Sequence, residues 1–229
     1  MLSIVMLYPE LLGTYGDAGN ALVLAERARR REIEARVTVV GMDDEVPDAS
    51  IYLLGGGEDG PQRLACDLLA RSDFVERVRT GASVLAVCAG LQILGRTFCV
   101  EGNDEYEGLG LVDLVTRRGA RRSVGEVVVD VGGRPLVGFE NHGGHSVLGE
   151  GVPALGTMVR GQGNDGRVDG FRLSTLWGTY AHGPVLAMNP WLADEILASL
   201  AGTDLEPMAS VADRLYAERV ATLSSRSSE

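Results

Sequence analysis

Apolar runs of strand length alternate with stretches of helical periodicity through the first half of this 229-residue chain, and that alternation restricts the fold more than any single residue does. Leu2–Tyr8, Arg36–Val40, Ile51–Leu54 and Ser83–Val87 read as strands. Between them, Asn20–Arg31 carries apolar residues on one helical face with Arg and Glu opposite, and Gln62–Ala70 and Asp73–Arg79 are also helical. Strands separated by helices pair in parallel, and such a sheet is covered on both faces. The second half changes character. Glu126–Val131 and Pro135–Glu140 flank Gly132-Gly133, a hairpin signal. Met158–Arg160, Val168–Leu173 and Leu176–Tyr180 are further short strands, and Trp191–Leu200 and Pro207–Leu223 are helices. The expected fold class is α/β: an open, mostly parallel sheet with helices on both faces and antiparallel strands added in the second half. It forms one domain over residues 1–223, followed by a polar, disordered tail at 224–229.

Charge and cysteine usage exclude several functions. The 21 basic residues, all Arg, face 32 acidic ones, a net charge of −11. Such a surface repels phosphate backbones and anionic lipid, so nucleic acid is not an expected partner. No apolar run reaches the ~18 residues of a transmembrane helix, and no basic segment precedes the apolar N-terminus as in a signal peptide. Cys66, Cys88 and Cys99 are odd in number and form no C-x-x-C, which points to reduced thiols in a cytoplasmic protein without membrane insertion.

Cys88 is the strongest site candidate. It stands where an apolar strand ends and a helix begins, in V-C-A-G-L-Q. A sharp turn there lifts the side chain out of the sheet, and the helix N-terminus favours thiolate over thiol. The Ala89 backbone N–H then points to where an oxyanion would form. The bland alternative is a buried small hydrophobe, the usual fate of free cysteine. Cys66, inside an amphipathic helix, and Cys99, in an apolar patch, keep that reading. His182 follows a strand in W-G-T-Y-A-H-G-P and is the candidate base. His142 and His145 lie in a glycine-rich loop with no third ligand, so no metal site is expected. Gly55-Gly56-Gly57 is either a plain tight turn or the second half of an oxyanion hole; a phosphate-binding loop would need a Lys. Arg117, Arg118, Arg121 and Arg122 form either a solvated face or a carboxylate clamp.

Five strings in this order resemble a family: YPELLGTYGDAGN at 8–20, LGGGED at 54–59, CAGLQ at 88–92, GFENHGG at 138–144 and GTYAHGP at 178–184. The chain resembles the class I, or triad, glutamine amidotransferases over nearly its whole length. Within them it is similar to the cobyric-acid-synthase-like branch, and there to the glutaminase subunits of lipid II isoglutaminyl synthase. The resemblance implies Cys88 as nucleophile and His182 as base. It implies Gly56 and Ala89 as oxyanion-hole amides, Gln92 as a contact to the substrate L-glutamine, and Arg122 as the holder of its α-carboxylate. It implies no cofactor in this chain, with ATP and Mg on a Mur-ligase-like partner subunit, MurT. That partner would use the ammonia to amidate D-glutamate in peptidoglycan biosynthesis. Most triad glutaminases carry a Glu two residues after the histidine, where this chain has Pro184. By the resemblance, the partner contributes an Asp instead; within this chain, Asp165, Asp169 and Glu140 are the carboxylates whose loops could approach. The family often has Arg where His145 stands. The alternatives are a glutaminase of this fold serving a cobyrinate-type synthetase, which is usually fused on one longer chain, and a non-catalytic regulatory subunit.

Overall fold

The computed structural model describes residues 1–99 and 104–226. In chain order the first elements are β1 (Leu2–Leu7), α1 (Pro9–Leu12), α2 (Gly19–Arg29), β2 (Ala35–Val40), β3 (Ile51–Leu54), α3 (Asp59–Ala70), α4 (Phe74–Arg79), β4 (Ser83–Val87) and α5 (Ala89–Leu94). Then come β5 (Thr97–Cys99), β6 (Glu105–Glu107), β7 (Leu114–Val131), β8 (Arg134–Leu148), β9 (Gly156–Arg160), β10 (Val168–Asp169), β11 (Phe171–Leu173) and β12 (Leu176–Thr179). The chain closes with α6 (Val185–Met188), α7 (Pro190–Ala201) and α8 (Val211–Arg226).

The main sheet runs β11-β12-β4-β3-β1-β2. Every pairing in it is parallel except that of β11 with β12, at one edge. β3 and β4 are buried along their whole length, which is why they read as unbroken apolar runs. The crossover through α2 carries the chain from β1 outward to β2. The crossover through α3 and α4 carries it the other way, from β3 to β4. Right-handed crossovers in opposite directions place these helices on opposite faces. Ile4, Leu24, Ile51, Phe74, Leu91 and Trp177 are among the buried residues of the core, each contributing roughly 1.5–3 kcal/mol. Buried Arg27 on α2 ties this layer to α7 by a fork onto both carboxylate oxygens of Asp194, at 2.6 Å each. Among the described residues, no helix is long and apolar enough to cross a membrane.

The second sheet runs β10-β9-β7-β5-β6, with β8 paired to β7. The hairpin expected around Gly132-Gly133 is present but far longer, because β7 and β8 continue through the arginine-rich and glycine-rich stretches. Its register jumps between the pairs Arg118↔Gly144 and Ser123↔His142. Four residues, 119–122, therefore oppose a single one, and the bulge turns Arg122 away from the regular ladder. The strand expected at Val168–Leu173 is two strands in two sheets: β10 pairs with β9 and β11 with β12. Gly170, at φ 57°, makes the break, and a Cβ there would overlap the Gly178 carbonyl oxygen. The polar tail expected to be disordered from residue 224 is instead helical through Arg226, as the end of α8; residues 227–229 lie outside the described residues.

Candidate functional site

Ligand sites in open α/β sheets form at the carboxyl ends of the strands. Four neighbouring parallel strands, β12, β4, β3 and β1, each deliver one component there. β1 leads to the loop holding Tyr15 and Asp17, and β3 leads to Gly55-Gly56-Gly57. β4 ends at Cys88, and β12 is followed by Tyr180-Ala181-His182.

Cys88 is the junction residue between β4 and α5, with φ 52° and ψ −105°. A non-glycine residue pays to adopt that backbone, and such strain collects where a side chain must be aimed. Its N–H is tied to the Thr179 carbonyl at 2.9 Å, which binds the elbow to the strand that carries His182. Burial pushes the Cys88 thiol up to about 12, and the Asp17 carboxylate adds to this. The Ala89 N–H and the Arg122 guanidinium act in the opposite direction and are outweighed. Desolvation thus opposes the pull toward thiolate expected from the helix N-terminus, and α5 has only six residues to supply that pull.

His182 is fully buried and held from several sides. Its backbone exchanges two hydrogen bonds with Phe139 of β8, at 2.8 and 3.2 Å. Its ring lies against Tyr15 and Phe139, with centroids 4.5 and 5.4 Å away. Nδ1 sits 2.9 Å from Asp17 Oδ2, and the Gly56 N–H donates to that same oxygen at 2.9 Å. A carboxylate only accepts, so Nδ1 carries a proton, and Nε2 is the ring nitrogen left for other partners. Nε2 is buried and has no hydrogen-bond partner among the described residues.

Beside Cys88 opens a cleft of about 480 Å³, lined among others by Gly57, Glu58, Ala89, Gln92, Cys99 and Arg122. Arg122 donates from Nε to Asn141 Oδ1 at 2.6 Å and from Nη2 to the Tyr15 hydroxyl at 3.1 Å. Tyr15 in turn donates to Glu58 at 3.2 Å. A cation and an anion thus face one cleft next to a thiol. A CobB/CobQ-like glutamine amidotransferase domain matches residues 3–190. The chain belongs to that family.

The amidotransferase is 32% identical over 202 residues to the lipid II isoglutaminyl synthase (glutamine-hydrolyzing) subunit GatD of Staphylococcus aureus, covering 86% of this chain and 83% of that protein. To the subunit of the same name from Streptococcus pneumoniae it is 31% identical, covering 86% and 80%. A cobyric acid synthase of Pelotomaculum thermopropionicum is 38% identical over 121 residues, 45% of this chain and 23% of that protein. Among solved structures, PurLQS from Thermotoga maritima has a TM-score of 0.60 at 17% identity, covering 88% of this chain and 99% of that one. A crystal structure of a glutamine amidotransferase has a TM-score of 0.58 at 20% identity, covering 86% and 98%. These two share the fold.

Within the amidotransferase, the expected residues divide. Cys88, Ala89, Gln92 and Arg122 border one cleft. Gln92 does so with its amide already engaged: Nε2 donates to the Tyr180 hydroxyl at 3.0 Å, and Oε1 accepts from Gln62 at 2.9 Å. Gly56 is corrected as an oxyanion-hole donor, because its N–H is spent on Asp17. Gly57, one residue on, lines the cleft, and its N–H has no partner among the described residues. Cys99, expected in an apolar patch, also borders the cleft, while Cys66 is buried on α3 and pushed up to about 12.

Among the described residues, the carboxylate at His182 Nδ1 is that of Asp17, which was not among the candidates expected there. None of the three in-chain candidates is there. Asp165 pairs with Arg167. Asp169 accepts from Thr179 and from the Tyr180 N–H, and burial lifts it to about 6. Glu140 accepts from the Gln162 and Gly163 N–H groups and lies 3.3 Å from His142 Nε2. His142 itself is a buried ring stacked on Tyr180, with centroids 3.9 Å apart. Asp17 was the residue missed, although it stands in the first of the five family-like strings, in T-Y-G-D-A-G-N.

Proposed function

We propose that this chain is the glutaminase subunit of a two-subunit amidating synthase, hydrolysing L-glutamine and passing ammonia to a Mur-ligase-like partner of the MurT type. The observation that carries the reaction is the convergence of a strained Cys88 elbow, a buried His182 with an open Nε2, and a cleft holding Arg122 and Glu58. The carboxylate of the substrate glutamine meets the Arg122 guanidinium, whose Nη1 has no partner among the described residues. Gln92 forms the cleft wall beside the nucleophile.

Burial favours the neutral thiol, so attack and proton transfer go together. Cys88 Sγ bonds to the side-chain amide carbon while its proton moves to His182 Nε2. The developing oxyanion is met by the Ala89 N–H and, we infer, the Gly57 N–H. The imidazolium returns the proton to the amide nitrogen, the C–N bond breaks and ammonia leaves the thioester. Water, deprotonated by the same Nε2, then releases glutamate and restores the thiol. The partner would hold ATP and Mg, whose chemistry would be to phosphorylate the α-carboxyl of D-glutamate in lipid II so that ammonia could displace the phosphate. Likeness to the two GatD subunits over at least four-fifths of their length supports that acceptor, whereas the match to the Pelotomaculum cobyric acid synthase covers 23% of that protein.

A glutamine-mimicking diazoketone tests the site directly. Mass spectrometry of the labelled chain is expected to find one adduct, on Cys88. Cys99 borders the same cleft and serves as an internal control; an adduct there or on Cys66 in place of Cys88 overturns the assignment. Arg122→Ala removes a charge-assisted contact worth roughly 1.5–3 kcal/mol, so KM for glutamine is expected to rise about tenfold to a hundredfold with kcat little changed. Steady-state kinetics of Arg122→Ala and Arg118→Ala side by side check it, and the reading fails if only the latter raises KM.

A further inference from the structure

We infer that Tyr180 is a positioning residue for glutamine binding: its hydroxyl, anchored on Ser146 and Thr116 of the second sheet, fixes the side-chain amide of Gln92 in the cleft wall. The inference rests on the placement of glutamine beside Cys88 and Gln92 given above. Gln62, Gln92, Thr116, Ser146 and Tyr180 are all buried, and they come from α3, α5, β7, β8 and the segment after β12. Gln92 borders the cleft, whereas Tyr180, Ser146 and Thr116 stand behind it, so their effect on substrate passes through Gln92.

The directions of these bonds follow from what each group can do. The Ala89 carbonyl only accepts, so Gln62 turns Nε2 toward it, 3.5 Å away. The same Nε2 donates to Gln92 Oε1 at 2.9 Å. Gln92 Nε2 then faces the Tyr180 hydroxyl at 3.0 Å and donates to its oxygen. The phenol's own proton is left for Ser146 Oγ, 2.6 Å away, and the Ser146 hydroxyl in turn meets Thr116 Oγ1 at 2.7 Å. Burial pushes the Tyr180 phenol up, which keeps that proton in place. The Gln92 amide therefore has one orientation: turned over, its nitrogen would face the Gln62 nitrogen, donor against donor. The junction also has no slack. The Tyr180 ring stacks on His142 with centroids 3.9 Å apart, and His142 is held by the Gly144 carbonyl and Glu140. β8 runs so close that a Cβ on Gly144 would lie 2.7 Å from Gln92 Nε2 and 2.9 Å from the Tyr180 hydroxyl. One N–H and one lone pair of the Gln92 amide remain uncommitted among the described residues, a donor and an acceptor of fixed direction in the wall that holds Cys88. A wall ordered in advance spares the substrate the cost of ordering it on binding.

Tyr180→Phe keeps the ring on His142 and removes only the hydroxyl. Steady-state glutamine hydrolysis is measured on the full chain with its ligase subunit, for Tyr180→Phe, Gln92→Ala and the double variant, beside wild type and Cys88→Ala. Tyr180→Phe is expected to raise KM for glutamine about three- to tenfold, with kcat within about threefold of wild type. In the Gln92→Ala background the same substitution is expected to move KM by less than about twofold, because the side chain through which Tyr180 acts is gone. Ser146→Ala, which frees the Tyr180 hydroxyl to turn, is read in the same cycle and decides the matter should Tyr180→Phe not fold. A merely structural role would lower the melting temperature and leave the cycle additive. The inference is overturned if neither substitution raises KM, or if the rise is the same with and without the Gln92 side chain. Failure of the underlying reading looks different: Cys88→Ala would then retain glutamine hydrolysis.

Discussion

Cys88→Ala is expected to abolish glutamine-dependent amidation while leaving ammonia-dependent amidation by the same complex intact. The argument is chemical. The thiol is the only group at the elbow able to form the covalent intermediate, and removing a nucleophile from such a unit costs on the order of 10⁴–10⁶-fold in kcat. Alanine fits the space without strain on the surrounding core, because Cys88 already sits among buried apolar neighbours. Free ammonia bypasses the cysteine, so the partner's own chemistry reports that the complex is still assembled. Paired assays with glutamine and with ammonium salts read both at once. Equal loss of the two activities would mean that the substitution damaged the assembly, and retained glutamine use would remove Cys88 from the mechanism.

Gly56→Ala is also expected to slow the reaction, although Gly56 bears no functional group. A Cβ at this position would lie 2.5 Å from His182 Cε1 and 3.1 Å from Tyr15 Cδ2. The imidazole has nowhere easy to go, since Phe139 holds its backbone and packs on its ring. The contact is relieved by pushing the ring off Asp17, off the reaction axis, or both. Displacements near 1 Å cost about a hundredfold in rate, so kcat is expected to fall by about 10²-fold. KM is expected to rise as well, because Tyr15, the other side chain in the way, accepts a hydrogen bond from Arg122. Steady-state kinetics together with a melting curve check this. An unchanged kcat in a folded variant would show that the ring is free to shift, and would weaken the claim that its position matters.

The main sheet was legible because its strands obey simple rules. Ile51–Leu54 and Ser83–Val87 are short apolar runs that end at glycine or at a strand-to-helix junction, and they fold as the two fully buried central strands. The second sheet was less so. In β7 the stretch T-R-R-G-A-R-R-S hides its period behind charge and a four-residue bulge, so only its regular end, Glu126–Val131, looked like a strand. Gly170 broke one apparent strand between two sheets, a choice made by long-range pairing. In the site, Cys88 at its elbow and His182 past a strand announce themselves by local context, and the fold places them after neighbouring strands. The contact of Asp17 with His182 was not legible, because it comes from β1 lying two strands away from β4 in the folded sheet. Gly56 was read as a donor to substrate when its N–H serves Asp17 instead, a difference of one residue in a turn.

That the site is divided among four strand ends also bears on when the chain becomes active. During synthesis the nucleophile emerges well before its histidine, and the loop bearing Asp17 earlier still. The contact that fixes the imidazole spans 165 residues and forms only once β12 has docked beside β4. Closing so long a stretch of chain is an entropically late step. A nascent or partly folded subunit therefore lacks the oriented imidazole, and in the proposed mechanism hydrolysis begins only when the last parallel strand completes the sheet.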